Sequence, residues 1–266
     1  MIDIVGGFLA AAVIAVLAWR AGALAISGAV AAVILGGVTV AAGGWNWGAL
    51  LILFFVTSSA LSKIADRRKP DHGDIAARGS RRDAVQVLAN GGIPGLFALI
   101  NWVDPRSIWY VAFAAALAAA AADTWATEIG AFSPHAPRLI PTFAKVEPGR
   151  SGAISVFGTL GSAAGALLIG LAAGALASGM VSHELALILA VAVGGFSGSL
   201  IDSGLGATVQ AIYRCPRCGR LVESPVHSCG TRTVLLHGHR LMTNDVVNAM
   251  AVSGGVLVAL LLWSVF

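Results

Sequence analysis

Two acids set in apolar, small-residue surroundings are the strongest chemical signal in this 266-residue sequence. In Ala121-Ala122-Asp123-Thr124-Trp125-Ala126-Thr127-Glu128-Ile129-Gly130, an apolar helix carries Asp123 and Glu128 and then ends in glycine. Offsets of three, four and seven put Asp123, Ala126, Thr127 and Gly130 on one helical face, so small residues should clear space beside the acid. In Gly194 to Gly206 the same spacing aligns Gly195, Gly198, Ser199, Asp202 and Gly206. An acid near the bilayer centre costs about 2.5 to 3.5 kcal/mol on insertion scales, so one kept there meets a cation, a partner or water. Two such acids from different helices could share a divalent cation, with hard oxygen ligands and phosphate oxygens completing its shell. The plain alternatives are an acid that has reached the interface and a small-residue packing seam with Asp202 as a cap.

Two polar stripes open other apolar segments. Asp83, Gln86 and Asn90 recur at offsets of three and seven, and Asn244, Asp245 and Asn248 cluster at the start of the last apolar run. Each taken alone could merely satisfy a helix end or stitch helices together. Four polar clusters at four helix ends argue for a shared, ion-filled cavity. Ahead of a run opening with Ser155, Gly158 and Thr159 lies a loop, 141–152, containing Lys145, Arg150, Ser151 and Gly152. Glycines and hydroxyls before a helix leave backbone N–H groups to hold phosphate, and the two bases add charge, although a plain interfacial turn reads equally well. Lys63, Arg67, Arg68 and Lys69 read either as phosphate-facing charge or as topology signals beside anionic lipid.

All three cysteines fall in one loop, as Cys215-Pro216-Arg217-Cys218 and His227-Ser228-Cys229. An odd number in an intracellular loop argues against a disulfide framework. Cys215, Cys218, His227 and Cys229 compose a closed tetrahedral S₃N set for structural Zn²⁺, with His237 or His239 as alternatives to His227 and an unmetallated loop as the plain reading. Four protein ligands leave no open position, so this metal would fold the loop rather than catalyse.

The elements that must position these groups are transmembrane helices. Of the residues, 57% are hydrophobic and 11% charged, and the mean hydropathy is +0.84, whereas soluble chains run at about 25% charged. That excludes an ordinary soluble domain, and continuous rather than alternating apolar runs exclude a membrane β-barrel. The expected fold is all-α, a polytopic helical bundle in a single transmembrane domain, 1–266, with a zinc-loop insertion at 211–243. About eight spans are expected, near 2–18, 23–42, 46–61, 84–103, 107–122, 153–177, 183–200 and 245–266, with seven or nine left open. Met1-Ile2-Asp3 is no basic leader, so the first run reads as a retained span rather than a signal peptide.

Charge placement tests this count independently. Of the 17 bases, 16 lie at Arg20, in 62–83, in 123–152 and in 201–244, all after odd-numbered spans, and Arg106 alone lies on the other side. The positive-inside rule makes the charged face cytoplasmic and both termini external, in an inner membrane or its equivalent. Asp66, Asp71, Asp74, Glu147, Glu223 and the acids already named lie at or beside the same loops. The chemistry is therefore expected at the cytoplasmic ends of the helices, in contact with the bilayer and with no nucleic-acid partner; a homodimer is an open alternative.

Together these motifs resemble the membrane family labelled domain of unknown function 92, that of transmembrane protein 19 and the plant phytyl-phosphate kinase of vitamin E synthesis. The resemblance covers nearly the whole chain. It rests on Ser58-Ser59 with Lys63, Arg82-Asp83 through Gly92, Ala122 to Gly130, Gly149 to Gly152, Gly198 to Ser203, the Cys and His loop, and Asn244 to Asn248. The element Asp123, Ala126, Gly130 also looks like one in CTP-dependent phytol and dolichol kinases and, more distantly, in membrane cytidylyltransferases. What the resemblance implies is phosphoryl transfer from a nucleoside triphosphate, CTP expected, to a prenyl or phytyl monophosphate whose tail lies between spans. Asp123 and Asp202 would hold Mg²⁺, with Glu128 and Asp245 as further candidates. Lys145, Arg150, Arg82 and Lys63 would neutralise phosphates, with Gln86, Asn90, Ser151, Gly152, Ser199, Asn244 and Asn248 as neighbouring contacts. Arg150 stands where the family carries a small hydroxyl residue and Gly204 where leucine is usual. The rival readings are a lipid cytidylyltransferase, a cation transporter and a non-catalytic zinc-bearing scaffold.

Overall fold

The computed structural model describes residues 2–66, 81–177, 179–181 and 183–266. Arg67, Arg68, Lys69, Asp71 and Asp74 therefore lie outside the described residues. The helices are α1 (Ile2–Arg20), α2 (Ile26–Gly43), α3 (Trp45–Asp66), α4 (Ala84–Val103), α5 (Ser107–Gly130), α6 (Val156–Leu176), α7 (Glu184–Thr208) and α8 (Asn244–Trp263). Among the described residues, seven of these, α2 to α8, are long and apolar enough to cross a membrane. The expected first span is shorter: α1 is apolar over Ile4–Arg20, roughly 26 Å of helix at 1.5 Å per residue. The protein is thus a polytopic α-helical membrane protein. Hydropathy placed the ends of α5 and α7 near 122 and 200, but the helices continue to Gly130 and Thr208. Their last two turns are polar, and backbone hydrogen bonding continues where hydropathy does not.

The bundle is built around α5. Every residue from Tyr110 to Ala122 is buried, and α3, α4, α6, α7 and α8 all pack on it. A helix apolar all round must be covered all round, and the alanines from Ala114 to Ala122, interrupted only by Leu117, let neighbours approach closely. Glycines on α7 complete the fit. A Cβ on Gly195 would lie 2.6 Å from Ala118 Cβ, and one on Gly198 would lie 2.8 Å from Ala119 Cβ and 3.2 Å from the Ala251 carbonyl oxygen on α8. Gly158, Gly161 and Gly165 seat α6 against α5 in the same way.

Gly204 is the contrast, since a Cβ there meets nothing within 4 Å. Gly198→Ala should therefore lower stability in detergent by about 1 to 3 kcal/mol through overpacking. Gly204→Ala should instead raise it by about 0.5 to 1 kcal/mol through helix propensity. Paired thermal melts would measure both signs.

The segments after α1, α5 and α7 gather with the entry of α4 at one end of the bundle. Ala25 N–H donates to the Arg82 carbonyl at 2.9 Å and Arg82 N–H to the Ala23 carbonyl at 3.0 Å, tying the first of these loops to the entry of α4. Gly152, with φ +77°, packs so tightly on α7 that a Cβ would lie 2.1 Å from Ala207 N. At the other end, Asn46 Nδ2 donates to the Leu176 carbonyl at 2.9 Å and Asn101 Nδ2 to the Ala42 carbonyl at 3.3 Å. Asp104 and Arg106 form an ion pair at that second end.

Two small antiparallel sheets, unanticipated in an all-α reading, lie in the loops. One pairs β1 (Arg138–Leu139) with β2 (Ala153–Ile154). The other has the order β4 (Leu221–Val222), β3 (Ile212–Arg214), β5 (Val234–His237). Its base is closed where Ala211 N–H donates to the Met242 carbonyl at 2.9 Å.

Candidate functional site

Helices α4, α5, α7 and α8 converge at the loop-bearing end on a pocket lined by Asn90, Asp123, Asp202 and Asn248. Its volume is about 10 Å³, room for one water-sized group or ion. The small residues Ala119, Ala120, Gly198 and Ala251 form its walls. The Asp123 and Asp202 carboxyls, brought from α5 and α7, both line this pocket. With its nitrogen facing the acceptors, the Asn248 carboxamide donates to Asp202 Oδ1 at 2.8 Å and to the Asn244 carbonyl at 3.3 Å. Asn90 Nδ2 donates to the Gln86 carbonyl at 3.0 Å, which leaves its own carbonyl oxygen free of that bond.

Ala126 and Gly130 do not clear room for Asp123: a Cβ on Gly158 would lie 2.8 Å from the Ala126 carbonyl and 3.5 Å from Gly130 Cα, so both face α6. The room beside Asp123 comes from the preceding turn, Ala119 and Ala120, and from Gly198 across the interface. Like charges about 4 Å apart repel by roughly 4 kcal/mol at an effective dielectric of about 20, so two carboxyls here need a cation or a shared proton between them. Two carboxylates beside two carboxamides form a hard oxygen set of the kind Mg²⁺ takes.

A second group flanks the pair. Glu128 is buried, accepts a hydrogen bond from Ser62 Oγ at 2.9 Å, and acts electrostatically on both Asp123 and Arg82. Burial lowers the Arg82 pKa from its ordinary value, and Glu128 partly opposes that shift. Arginine stays charged in proteins, so Arg82 is a poorly hydrated cation suited to an anionic partner. Ser62 was not among the expected site residues, although it lies on the same stripe of α3 as Ser58 and Ser59. Glu223, the residue after β4, acts electrostatically on Asp202. It was expected only as a loop acid, because no local spacing could have tied it to α7.

Other candidates have structural partners. Asp83 and Gln86 form a capping box on α4, with Gln86 N–H donating to Asp83 Oδ1 at 2.9 Å and Asp83 N–H to Gln86 Oε1 at 3.1 Å. Lys63 Nζ donates to the Ala21 carbonyl. Ser199 is buried on α7. Lys145 is exposed beside Arg138, and Arg150 is half-buried where its loop meets α7. Ser151 and Gly152 pack against Gly206. None of Lys63, Lys145, Arg150, Ser151, Gly152, Asn244 and Asp245 lines the Asp123–Asp202 pocket.

The cysteine loop forms a compact donor set. Cys215, Cys218, His227 and Cys229 place their ligand atoms within 4.8 Å of one another. Cys229 Sγ lies 3.7 Å from both Cys215 Sγ and Cys218 Sγ, and Cys218 Sγ lies 3.4 Å from His227 Nδ1. Tetrahedral zinc with Zn–S bonds of about 2.3 Å would hold sulfurs roughly 3.8 Å apart. Two glycine turns make the set: Gly219 N–H donates to the Cys215 carbonyl at 2.9 Å and Gly230 N–H to the His227 carbonyl at 2.9 Å. Both glycines adopt positive φ, +70° and +78°, which the sequence marks as Cys-Gly following each ligand pair. His237 and His239 fall outside the set, so His227 is the fourth donor. Thr231 Oγ1, 3.3 Å away, and then His227 pull the Cys229 thiol down to about 6, toward the thiolate that binds metal. The group could hold a metal such as zinc.

Comparison with known proteins agrees in extent with these features. The chain is 32% identical to Protein PGR of Arabidopsis thaliana over 230 residues, 79% of this chain and 78% of that protein. An uncharacterised membrane protein of Methanocaldococcus jannaschii is 33% identical over 189 residues, 69% of this chain and 73% of that protein. Protein VTE6, chloroplastic, of Arabidopsis thaliana is 27% identical over 244 residues, 90% of this chain and 65% of that protein. No solved structure matches the chain. The family described as Integral membrane protein DUF92 matches residues 9–256, a range that takes in both acid-bearing helices and the metal-ligand loop, and the chain belongs to that family.

Proposed function

We propose that the protein is a membrane-embedded kinase that uses a nucleoside triphosphate, CTP by expectation, to convert a prenyl or phytyl monophosphate to the diphosphate at the cytoplasmic face. The observation that carries this reading is the meeting of Asp123 and Asp202 from separate helices, with Asn90 and Asn248, in one pocket beside the charged loops. The chloroplastic plant relative, alignable over 90% of this chain, adds support for a phytyl-phosphate kinase type of activity.

In the reaction, an oxygen of the lipid monophosphate attacks the γ-phosphorus of the nucleotide. The bond from that phosphorus to the β–γ bridging oxygen breaks, and the nucleoside diphosphate leaves with the electron pair. Little covalent chemistry is asked of the protein. Asp123 and Asp202 would hold Mg²⁺, which when bound supplies charge neutralisation and orientation of the phosphates. Asn248 would orient the Asp202 carboxylate, Asn90 would line the same pocket, and Glu128, bonded to Ser62, would act beside Arg82 on the acceptor phosphate. Lys145, Arg150 and the Ser151-Gly152 turn would meet the nucleotide phosphates, with Asn244 and Asp245 at the rim. The insertion 211–243 in the single transmembrane domain would carry Zn²⁺ in a structural role, since four protein ligands leave no open position.

A cytidylyltransferase would use the same nucleotide and metal site and is the nearest rival. A cation path is disfavoured because α5 is buried from Tyr110 to Ala122 and fills the bundle below Asp123. Purified protein incubated with geranylgeranyl or phytyl monophosphate, CTP and Mg²⁺ should yield the lipid diphosphate by chromatography. An unchanged lipid under all nucleotides would refute the kinase.

A further inference from the structure

A second cavity, larger and almost wholly apolar, lies between α1, α2, α3 and α4. Its volume is about 180 Å³. It is partly open at the surface rather than sealed, so an apolar chain can enter it from the bilayer side. Its walls are small or aliphatic residues such as Ala11, Ala32, Leu35 and Val40, with Phe54 and Phe55 from α3. The polar side chains at its margin are Arg82, Gln86 and Asn90, spaced by four along the entry and first turns of α4, with the amphipathic Trp45 opposite. Asn90 lines this cavity and also the Asp123–Asp202 pocket. The two spaces therefore meet at one side chain, greasy on one side and acid-bearing on the other.

We propose that this cavity seats the isoprenoid tail of the acceptor, with its monophosphate at Arg82 and Asn90 and its far end near Trp45 and Gly48. The inference rests on the kinase reading and names the part of that site which selects the substrate. Its shape matches the amphiphile at both ends. The anionic head meets Arg82, which Glu128 acts on from the catalytic side. The tail runs toward the start of α3, past Phe55 to Trp45, ten residues or about 15 Å of helix. An extended chain advances about 1.2 Å per bond, or roughly 4.5 Å per four-bond isoprene unit. The roughly 15 Å from Phe55 to Trp45 thus takes about three units; a ten-carbon chain covers about two-thirds of it, a twenty-carbon chain spans it, and a much longer polyprenyl overruns it.

The test uses geranylgeranyl monophosphate bearing a photoreactive diazirine at the tail terminus, with purified full-length protein in detergent. Cross-links should map to Trp45, Gly48, Ala49 or Ile52, and unlabelled geranylgeranyl monophosphate should compete while phospholipid does not. Labels confined to lipid-facing side chains such as Leu9, Val13 and Val16, or displaced equally by phospholipid, would mean bulk lipid only and overturn the proposal. Chain-length profiles give a second reading. Ala32→Phe and Ala10→Phe, which fill the cavity, should cut the ratio of twenty-carbon to ten-carbon turnover at least tenfold, whereas Val13→Phe on the outer face should leave it unchanged. Turnover with an unmoved ratio and no mapped label would sink the cavity while sparing the kinase. Mapped, competed label without turnover would sink the kinase while sparing the cavity.

Discussion

Asp123→Asn and Asp202→Asn should each reduce Mg²⁺-dependent turnover at least a thousandfold, about 4 kcal/mol of transition-state stabilisation. Both substitutions keep side-chain volume and remove only charge, so the packing of α5 and α7 should survive. The size of the effect follows from geometry. The two carboxyls face one another across a pocket with room for one ion, and the remaining lining polar groups, Asn90 and Asn248, are neutral. Losing either acid halves the negative charge available to the cation, and no lining residue can replace it. Glu128 sits apart, bonded to Ser62 and acting on Arg82, so Glu128→Gln should weaken acceptor binding more than it weakens the metal requirement. The measurements are initial rates against Mg²⁺ concentration, with size-exclusion profiles in detergent to show that each variant is folded. Near wild-type rates in both Asp variants would remove the proposed site.

The second large effect concerns the metal loop. Pure protein should carry close to one zinc per chain by elemental analysis, and Cys215→Ser should lower that sharply, since Cys215 is the buried cysteine of the set. Metal binding and folding are coupled in such small sites. Without zinc, β3, β4 and β5 lose their anchor, and Glu223, which follows β4 and acts on Asp202, loses its position. Turnover should therefore fall at least tenfold on zinc removal by a chelator and return on adding zinc back, with Mg²⁺ held constant. A zinc-free protein with full activity would reduce the loop to a passive appendage.

Much of this was legible in the residues because membrane helices declare themselves through hydropathy and because stray acids are costly there. The eight apolar runs correspond to the helices of the described residues, seven of them long and apolar enough to span a membrane, and Gly195, Gly198 and Asp202 of the expected α7 stripe share a face, whereas Gly206 at its end packs on Ser151 and Gly152. Three-dimensional partners were less legible. Ala126 and Gly130 share a helical face with Asp123, yet α6 occupies that face beyond the acid, and periodicity along one helix does not name its neighbour. Ser62 and Glu223 reach the site through tertiary packing and a loop return. The glycine turns at Gly219 and Gly230, which seat the metal ligands, are marked in the sequence by Cys-Gly at each pair.

The central claim is phosphoryl transfer to a lipid phosphate, and a double-label experiment tests it most directly. Purified protein is given geranylgeranyl monophosphate and CTP labelled at either the α- or the γ-phosphate. Transfer as proposed puts γ label, and no α label, into the lipid, with CDP released. α label in the lipid with pyrophosphate released would contradict the account and make the protein a cytidylyltransferase.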